Sequence, residues 1–273
     1  MRKLIHISDI HFGRVDYAVV EKIIVKINEL KPDLMIVSGD LTQRARSEQF
    51  LEAKAFLDKL PQPQIVVPGN HDVPMYNVFD RFFAPLEKYK KYITEDLEPF
   101  YNDEEIAVIG INTARSLTIK DGRINERQIA TIREKLRKLP DEMLKVVVTH
   151  HPFDLPEGFD DKVVGRAELA MGKLADCGAD LFLAGHIHIS HIGHTATRYK
   201  LETGRSALVV QAGTATSTRG RGEANSFNII EFEHPKLSVK RFECDTAETG
   251  FLQIEVQKFI QNEKGWSGDI AEK

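Results

Sequence analysis

Five short polar blocks in this chain carry residue types that could do chemistry at one place: Asp9-Ile10-His11, Gly39-Asp40, Gly69-Asn70-His71-Asp72, His150-His151 and Gly185-His186-Ile187-His188. Six of the ten histidines (His11, His71, His150, His151, His186 and His188) fall inside these blocks, although the blocks are a small part of 273 residues. Histidines scattered over a core or a surface would not concentrate in this way. Imidazole with carboxylate and no thiolate suits zinc, manganese, iron or nickel, whereas an all-oxygen set would suit magnesium or calcium. Gly39 and Gly69 keep side chains out of the turns around them, so that Asp40 can approach two ions at once. A carboxylate shared by two cations about 3.5 to 4 Å apart defines a two-metal hydrolytic site.

Each block follows a segment that reads as a strand. Lys3–Ser8, Leu34–Ser38 and Gln64–Val67 are short apolar runs, and the periodic segments Val15–Leu30 and Arg46–Leu60 between them read as helices. Val19, Val20, Ile23, Ile24 and Ile27 recur at helical intervals, and Lys31-Pro32-Asp33 stops that helix. Residues 73–104, rich in aromatics and broken by Pro85 and Pro99, read as two helices forming a cap-like segment over one end of the sheet. Further on, strands are expected at Glu105–Ile111, Leu144–Thr149 and Asp180–Ala184, with helices at Asn125–Leu139 and Arg166–Cys177. After Gly185 the pattern turns β-rich, at Ile189–Ala196, Ala207–Gln211, Phe227–Phe232 and Leu237–Phe242, and a polar tail from about Asn262 is expected to fray. With no repeat or low-complexity linker, residues 1–273 read as a single α/β (α+β) domain. In open α/β sheets the carboxyl ends of the strands gather at one edge, where ligands bind, so the five blocks are expected to converge.

Composition narrows the partners. A formal net charge of -4 offers no global basic field to recruit nucleic acid or an acidic membrane surface. Two cysteines, Cys177 and Cys244, lack the spacing of a disulfide framework or zinc ribbon and are expected to be packing residues. Leu4-Ile5-His6-Ile7 is too short for a signal segment and too interrupted for a membrane span, which makes the cytoplasm the expected compartment. An oligomer is compatible with all of this.

The order D-x-H, G-D, G-N-H-D, H-H-P and G-H-x-H resembles the calcineurin-like metallophosphoesterase family, from Ile5 through His188 and more loosely to about Phe242. The resemblance implies a β-sandwich core flanked by α-helices. It also implies two divalent transition-metal ions (manganese, iron, zinc or nickel), Asp9, His11, Asp40 and His188 surrounding one, and Asp40, Asn70, His150 and His186 the other. Where the family block usually reaches a glycine soon after Gly39-Asp40, this chain continues Leu41-Thr42-Gln43-Arg44-Ala45, a departure that touches loop shape and no ligand. Ile7-Ser8-Asp9-Ile10-His11, Asn70-His71-Asp72 and His150-His151-Pro152 look most like bacterial cyclic-nucleotide and glycerophosphodiester phosphodiesterases.

On this reading, water between two dications becomes hydroxide near neutral pH and attacks a cyclic nucleotide or another small phosphodiester, without a serine or cysteine nucleophile. His71 is the candidate proton donor to the leaving group, with Asp72 expected to orient its imidazole. Softer candidates for substrate contact are His151, Asn112, Arg115, Arg219 and Arg221, while His191, His194 and His234 read as ordinary surface or strand residues. A phosphomonoesterase, a nuclease or a nucleotide-lipid pyrophosphatase would use the same blocks. A non-catalytic scaffold is disfavoured by retention of the whole set.

Overall fold

The computed structural model describes residues 1–273 except 76, 119, 200–203, 246–249 and 269–273. Its first part alternates as the apolar runs predict: β1 (Arg2–Ile7), α1 (Tyr17–Leu30), β2 (Leu34–Val37), α2 (Ser47–Leu57) and β3 (Gln64–Val66). The Asp16 carboxylate accepts from the amides of Ala18 and Val19, satisfying donors that open α1, and Lys31 closes the helix in a left-handed conformation. Val19, Val20, Ile23 and Ile27 form the buried stripe of that helix.

Residues 73–104 depart in part from the all-helical expectation. Two short helices are present, α3 (Val78–Phe83) and α4 (Glu87–Tyr92), but the segment ends in a strand, β4 (Phe100–Asn102), antiparallel to β5 (Ile106–Gly110). Pro99 disfavours helix at this point. The Asp103 carboxylate then accepts from the amides of Glu105 and Ile106, which closes the reversal into β5. α4 packs on the flank of the molecule, where Tyr89 is fully buried and donates its hydroxyl to Val66 O.

The remaining elements are α5 (Glu126–Leu136), β6 (Leu144–Val148), α6 (Ala167–Ala175), β7 (Leu181–Ala184), β8 (His191–His194), α7 (Thr195–Arg198), β9 (Leu208–Gln211), β10 (Ser226–Glu233), β11 (Lys236–Asp245), β12 (Gly250–Asn262) and β13 (Gly265–Gly268). Among the described residues the strands form two sheets, ordered β13-β12-β11-β10-β1-β2-β3 and β4-β5-β6-β7-β9-β8. β1, β2 and β3 run parallel in one sheet, and β5, β6, β7 and β9 run parallel in the other. Leu4, Ile36 and Ile65 from the first sheet meet Val108, Val146, Leu183 and Val210 from the second in a shared apolar layer. α1 and α2 cover the outer face of the first sheet, and α5 and α6 that of the second. This is a β-sandwich core flanked by helices.

Two expectations for the C-terminal part are corrected. The strand expected over Ile189–Ala196 is confined to His191–His194, because Thr195 turns into α7 and its hydroxyl accepts from Ala207 N. The polar tail does not fray from Asn262: through Gly268 it forms a hairpin with β12, which buries Trp266, while residues 269–273 lie outside the described residues. Burying one tryptophan compensates the ordering of a short polar strand. Among the described residues no helix is long and apolar enough to cross a membrane.

Asp180, buried at the start of β7, ties the hairpin to the opposite sheet. Its Oδ1 accepts from Trp266 Nε1, Gln261 Nε2 and Arg205, each at 3.2 Å, and its Oδ2 accepts from Lys145 N at 3.0 Å. Asp180→Ala removes the acceptor that buried Trp266 Nε1 and Lys145 N share and is expected to lower unfolding stability by about 1–3 kcal/mol. Denaturant unfolding checks this, and an unchanged midpoint would remove the latch from the account.

Candidate metal centre

The five blocks leave the carboxyl ends of β1, β2, β3, β6 and β7 at one edge of the sandwich. Their backbones do not simply continue the strands. Asp9, His11, Asp40, His186 and His188 all have positive φ, between 53° and 75°, a left-handed conformation that costs a residue with a Cβ about 1–3 kcal/mol where it is strained. Neighbouring turns hold it in place. Asp9 N donates to Gly39 O at 3.1 Å, His11 N to Asp40 O at 2.9 Å, and Gly185 N to His150 O at 3.1 Å. Buried Thr214 and Thr216, after β9, donate their hydroxyls to Asp9 O and Ile10 O.

With these turns fixed, the side chains gather in two groups that share Asp40. His188 Nε2 lies 3.1 Å from Asp9 Oδ1 and 3.1 Å from His11 Nε2, which is itself 3.6 Å from Asp40 Oδ2. On the other side, His150 Nε2 lies 3.1 Å from Asn70 Oδ1, 3.2 Å from His186 Nδ1 and 3.4 Å from Asp40 Oδ1. The two oxygens of one carboxylate thus face different sets of imidazoles. Asp9 Oδ1 is buried, and the only groups near it, His188 Nε2 at 3.1 Å and His11 Nε2 at 3.5 Å among the described residues, are not aligned to donate to it. Ring nitrogens this close to one another and to buried carboxylates call for shared protons or a cation. Asp9, His11 and His188 can hold an ion together, as can Asp9, Asp40 and His150, and His150, His151 and His186.

The electrostatics follow from the same proximity. Burial would raise the Asp40 carboxyl, but His150, His71 and His11 hold it well below the usual carboxylate range. His150 answers in the opposite sense: burial works against its charge, yet Asp40 pushes the imidazole up to about 9. Burial and the neighbouring His150 push His186 down to about 3. His188 is buried too, but Asp9 beside it raises its affinity for a proton.

Second contacts orient the donors. His150 Nδ1 donates to Ser38 O at 2.8 Å, and His188 Nδ1 donates to Arg219 O at 3.1 Å, so each presents Nε2 to the centre. Asp72 was expected to orient His71 and does not. Its carboxylate accepts from the amides of Gly69, Leu41 and Thr42 and from the Thr42 hydroxyl, at 2.9 to 3.2 Å, binding the Asp40 turn to the Asn70 turn. Burial beside Asp40 pushes the Asp72 carboxyl up to about 6. His71 instead donates Nδ1–H to Gln43 O at 2.8 Å, and its Nε2 accepts from Arg219 at 3.0 Å.

The softer candidates separate. Arg219 and Arg221 line a cavity of about 270 Å³ together with Asp40, Asn70, His71, His186 and His188. His151 does not line it: the ring is buried, with Nε2 2.9 Å from Lys120 O and Nδ1 2.8 Å from the Thr113 hydroxyl. It packs 4.6 Å from the His186 ring and supports that ligand candidate from behind. Asn112 and Arg115 are committed elsewhere and do not line the cavity. Asn112 Oδ1 accepts from Ala114 N, and the Arg115 guanidinium spans Asn112 O, Ala114 O and Gln128 Oε1 at the start of α5. Sequence reasoning missed Lys120 and Met75, which also line the cavity, and buried His6, whose Nε2 meets the Ser38 hydroxyl at 2.8 Å. Nothing in their local pattern distinguishes them. Larger clefts of about 870 and 690 Å³ carry none of the candidate ligands, so converging chemistry rather than size picks out this cavity.

Comparison with known proteins agrees with this geometry. A family model described as calcineurin-like phosphoesterase matches residues 2–190. A probable glycerophosphodiester phosphodiesterase of Arcobacter nitrofigilis is 28% identical over 203 residues, covering 68% of this chain and 71% of its own. The 3',5'-cyclic adenosine monophosphate phosphodiesterase of Escherichia coli K12 is 23% identical over 243 residues, 80% of each chain. Among solved structures, purple acid phosphatase PPD1 from yellow lupin superposes with a TM-score of 0.72 at 12% identity; the match covers 93% of this chain and about half (53%) of the lupin chain.

A Cβ on Gly69 would collide with the Asp40 carboxylate and backbone amide, and one on Gly39, at φ 91°, would stand 2.9 Å from His150 Nδ1. Gly69→Ala is therefore expected to displace Asp40 while the sandwich stays folded. Manganese titration by calorimetry should show affinity lowered by about 10-fold or more, the scale of losses when a ligand's support is disturbed. Unchanged affinity with an unchanged circular dichroism spectrum would contradict the close approach.

Proposed function

This chain belongs to the calcineurin-like phosphoesterase family, which makes it a hydrolase of phosphoesters, and we propose that it acts on small phosphodiesters at a pair of divalent transition-metal ions. The observation that carries the metal pair is the division of Asp40, with Oδ2 toward His11 and Oδ1 toward His150. In this reading Asp9, His11, Asp40 and His188 hold one ion, and Asp40, Asn70, His150 and His186 hold the other. Manganese, iron, zinc and nickel all suit the imidazole, carboxylate and amide-oxygen donors. Such ions, when bound, activate water and neutralise charge on the phosphoryl oxygens. The preference for diesters over monoesters is supported by the names of the bacterial relatives, both phosphodiesterases.

The residues of the chain supply the rest. His71 N donates to Asp40 Oδ1 at 2.8 Å, which fixes the backbone of the proton-donor candidate against the shared carboxylate. Gln43 O holds the other proton of the ring on Nδ1, so Nε2, at the cavity wall, is the atom that delivers a proton to the departing alkoxide. Arg219 donates to that same nitrogen, so it must swing toward the substrate's phosphate before Nε2 can carry a proton. Asp72 acts through the backbone, keeping the Asp40 and Asn70 turns in register.

Two measurements test this function. Asp40→Ala is expected to lose both bound metal and turnover, because the two groups share that side chain; elemental analysis showing two retained ions would sink the shared-ligand role. In His71→Ala metal content should persist while kcat on cyclic AMP falls by about 10²- to 10⁴-fold. The loss should be smaller on bis-p-nitrophenyl phosphate, whose leaving group departs readily as an anion. Equal fractional losses on the two esters would reassign His71 to positioning.

A further inference from the structure

Beyond the candidate ligands, the wall of the cavity is basic: Lys120, Arg219 and Arg221 all line it. They come from two loops, Lys120 from between β5 and α5, the two arginines from between β9 and β10. A third loop holds two of them in place. Asp161, its side chain only 3% exposed, accepts from Lys120 Nζ at 2.7 Å and lies 3.8 Å from Arg221 Nη1. The Arg221 guanidinium also rests over the Phe159 ring, 5.5 Å from its centre. One fixed carboxylate thereby gathers two cations at the mouth, where their side chains remain 51% and 43% exposed.

The charge balance is informative. Lys120, Arg219 and Arg221 against Asp161 leave an excess of two positive charges, before any metal is counted. Two dications against Asp9 and Asp40 would leave two more. A simple phosphodiester brings a single negative charge, which the metal pair alone would meet. Two cations held side by side repel each other, and a singly charged ester gives them nothing further to bind. Their placement is different from that of Arg219, whose carbonyl and guanidinium are both occupied at the centre, by His188 and His71. Asp161 also lines the cleft of about 870 Å³.

We propose that Lys120 and Arg221, held together by Asp161, form a subsite for a second phosphate group, and that the preferred substrates are phosphodiesters whose alcohol portion carries a further phosphate. This rests on the phosphodiesterase reading above. The lysine supplies a compact charge and the arginine a planar fork, a pairing suited to the several oxygens of a phosphate dianion.

The test compares thymidine 5'-(p-nitrophenyl phosphate) with the same ester bearing a 3'-phosphate, using the manganese-loaded protein. Nucleoside and leaving group are identical, so only the extra dianion differs. Wild type is expected to show kcat/KM about 10- to 100-fold higher on the 3'-phosphorylated ester, mainly through KM, as one or two charge-assisted hydrogen bonds would give. In Lys120→Ala/Arg221→Ala the ratio between the two substrates should fall close to one, and Lys120→Arg should keep most of it. Calorimetry supplies a readout independent of turnover: thymidine 3',5'-bisphosphate should bind wild type more tightly than thymidine 5'-monophosphate by a similar factor, and the double variant should lose that difference. A ratio near one in wild type, or one that survives in the double variant, overturns the subsite. Failure of wild type to hydrolyse bis-p-nitrophenyl phosphate would overturn the phosphodiesterase reading instead, and the calorimetric comparison would still decide the subsite.

Discussion

The rest of this structure depends on burying one carboxylate, Asp40, between imidazoles that come from both sheets of the sandwich. His11 lies beside Oδ2 and His150 beside Oδ1, while His71 N caps the same oxygen as His150. Removing such a group from water costs several kcal/mol unless opposite charge and hydrogen bonds surround it. The surroundings can be this complete only because β2 and β6, in different sheets, end at the same edge. The shared apolar layer sets their separation, so the packing of Leu4, Ile36, Val146 and Leu183 is also a constraint on the centre.

A second consequence is strain held by contacts that never reach the reacting atoms. Five candidate site residues adopt left-handed backbone, and each lies in a turn bonded to a neighbouring turn. Asp72 gathers three amides and a hydroxyl, and Ser38 joins His6 to His150 through its side chain and carbonyl. The segment after β9 takes part twice, bracing Asp9 and Ile10 through Thr214 and Thr216 and presenting Arg219 at the cavity. The C-terminal β-rich part is therefore joined to the function of the N-terminal blocks, even though the family model ends at residue 190.

The cavity itself divides into an inner half of buried imidazoles, Asp40 and Asn70 and an outer half of cations. Inner side chains are buried and fixed by turns. Outer cations sit on longer loops, where a change in sequence leaves the turns of the inner half untouched.

Much of this was legible in the sequence because strand ends, turn glycines and helical periodicity are local signals. The five blocks, the helices α1 and α2 and the parallel strands β1 to β3 follow from residue type and spacing alone. What lies far apart in the chain was decided by tertiary structure. The bond from His150 to Ser38 O spans 112 positions, and the one from Thr214 to Asp9 O spans 205. Adjacency misled at Asp72, which neighbours His71 in sequence but faces the amides of Gly69, Leu41 and Thr42, because its turn directs the carboxylate back into the strand ends. It misled at Asn112 and Arg115 too, where Asn112 Oδ1 turns back onto Ala114 N and Gln128 in the first turn of α5 accepts from the Arg115 guanidinium. Trp266 looks like part of a polar tail until β12 and Asp180 give its ring and N–H a place to be buried. The sequence by itself determined which residue types stand at the strand ends; only the closing of two sheets decided which of them meet and which turns they share, since those distances exist only once the apolar layer between the sheets is packed.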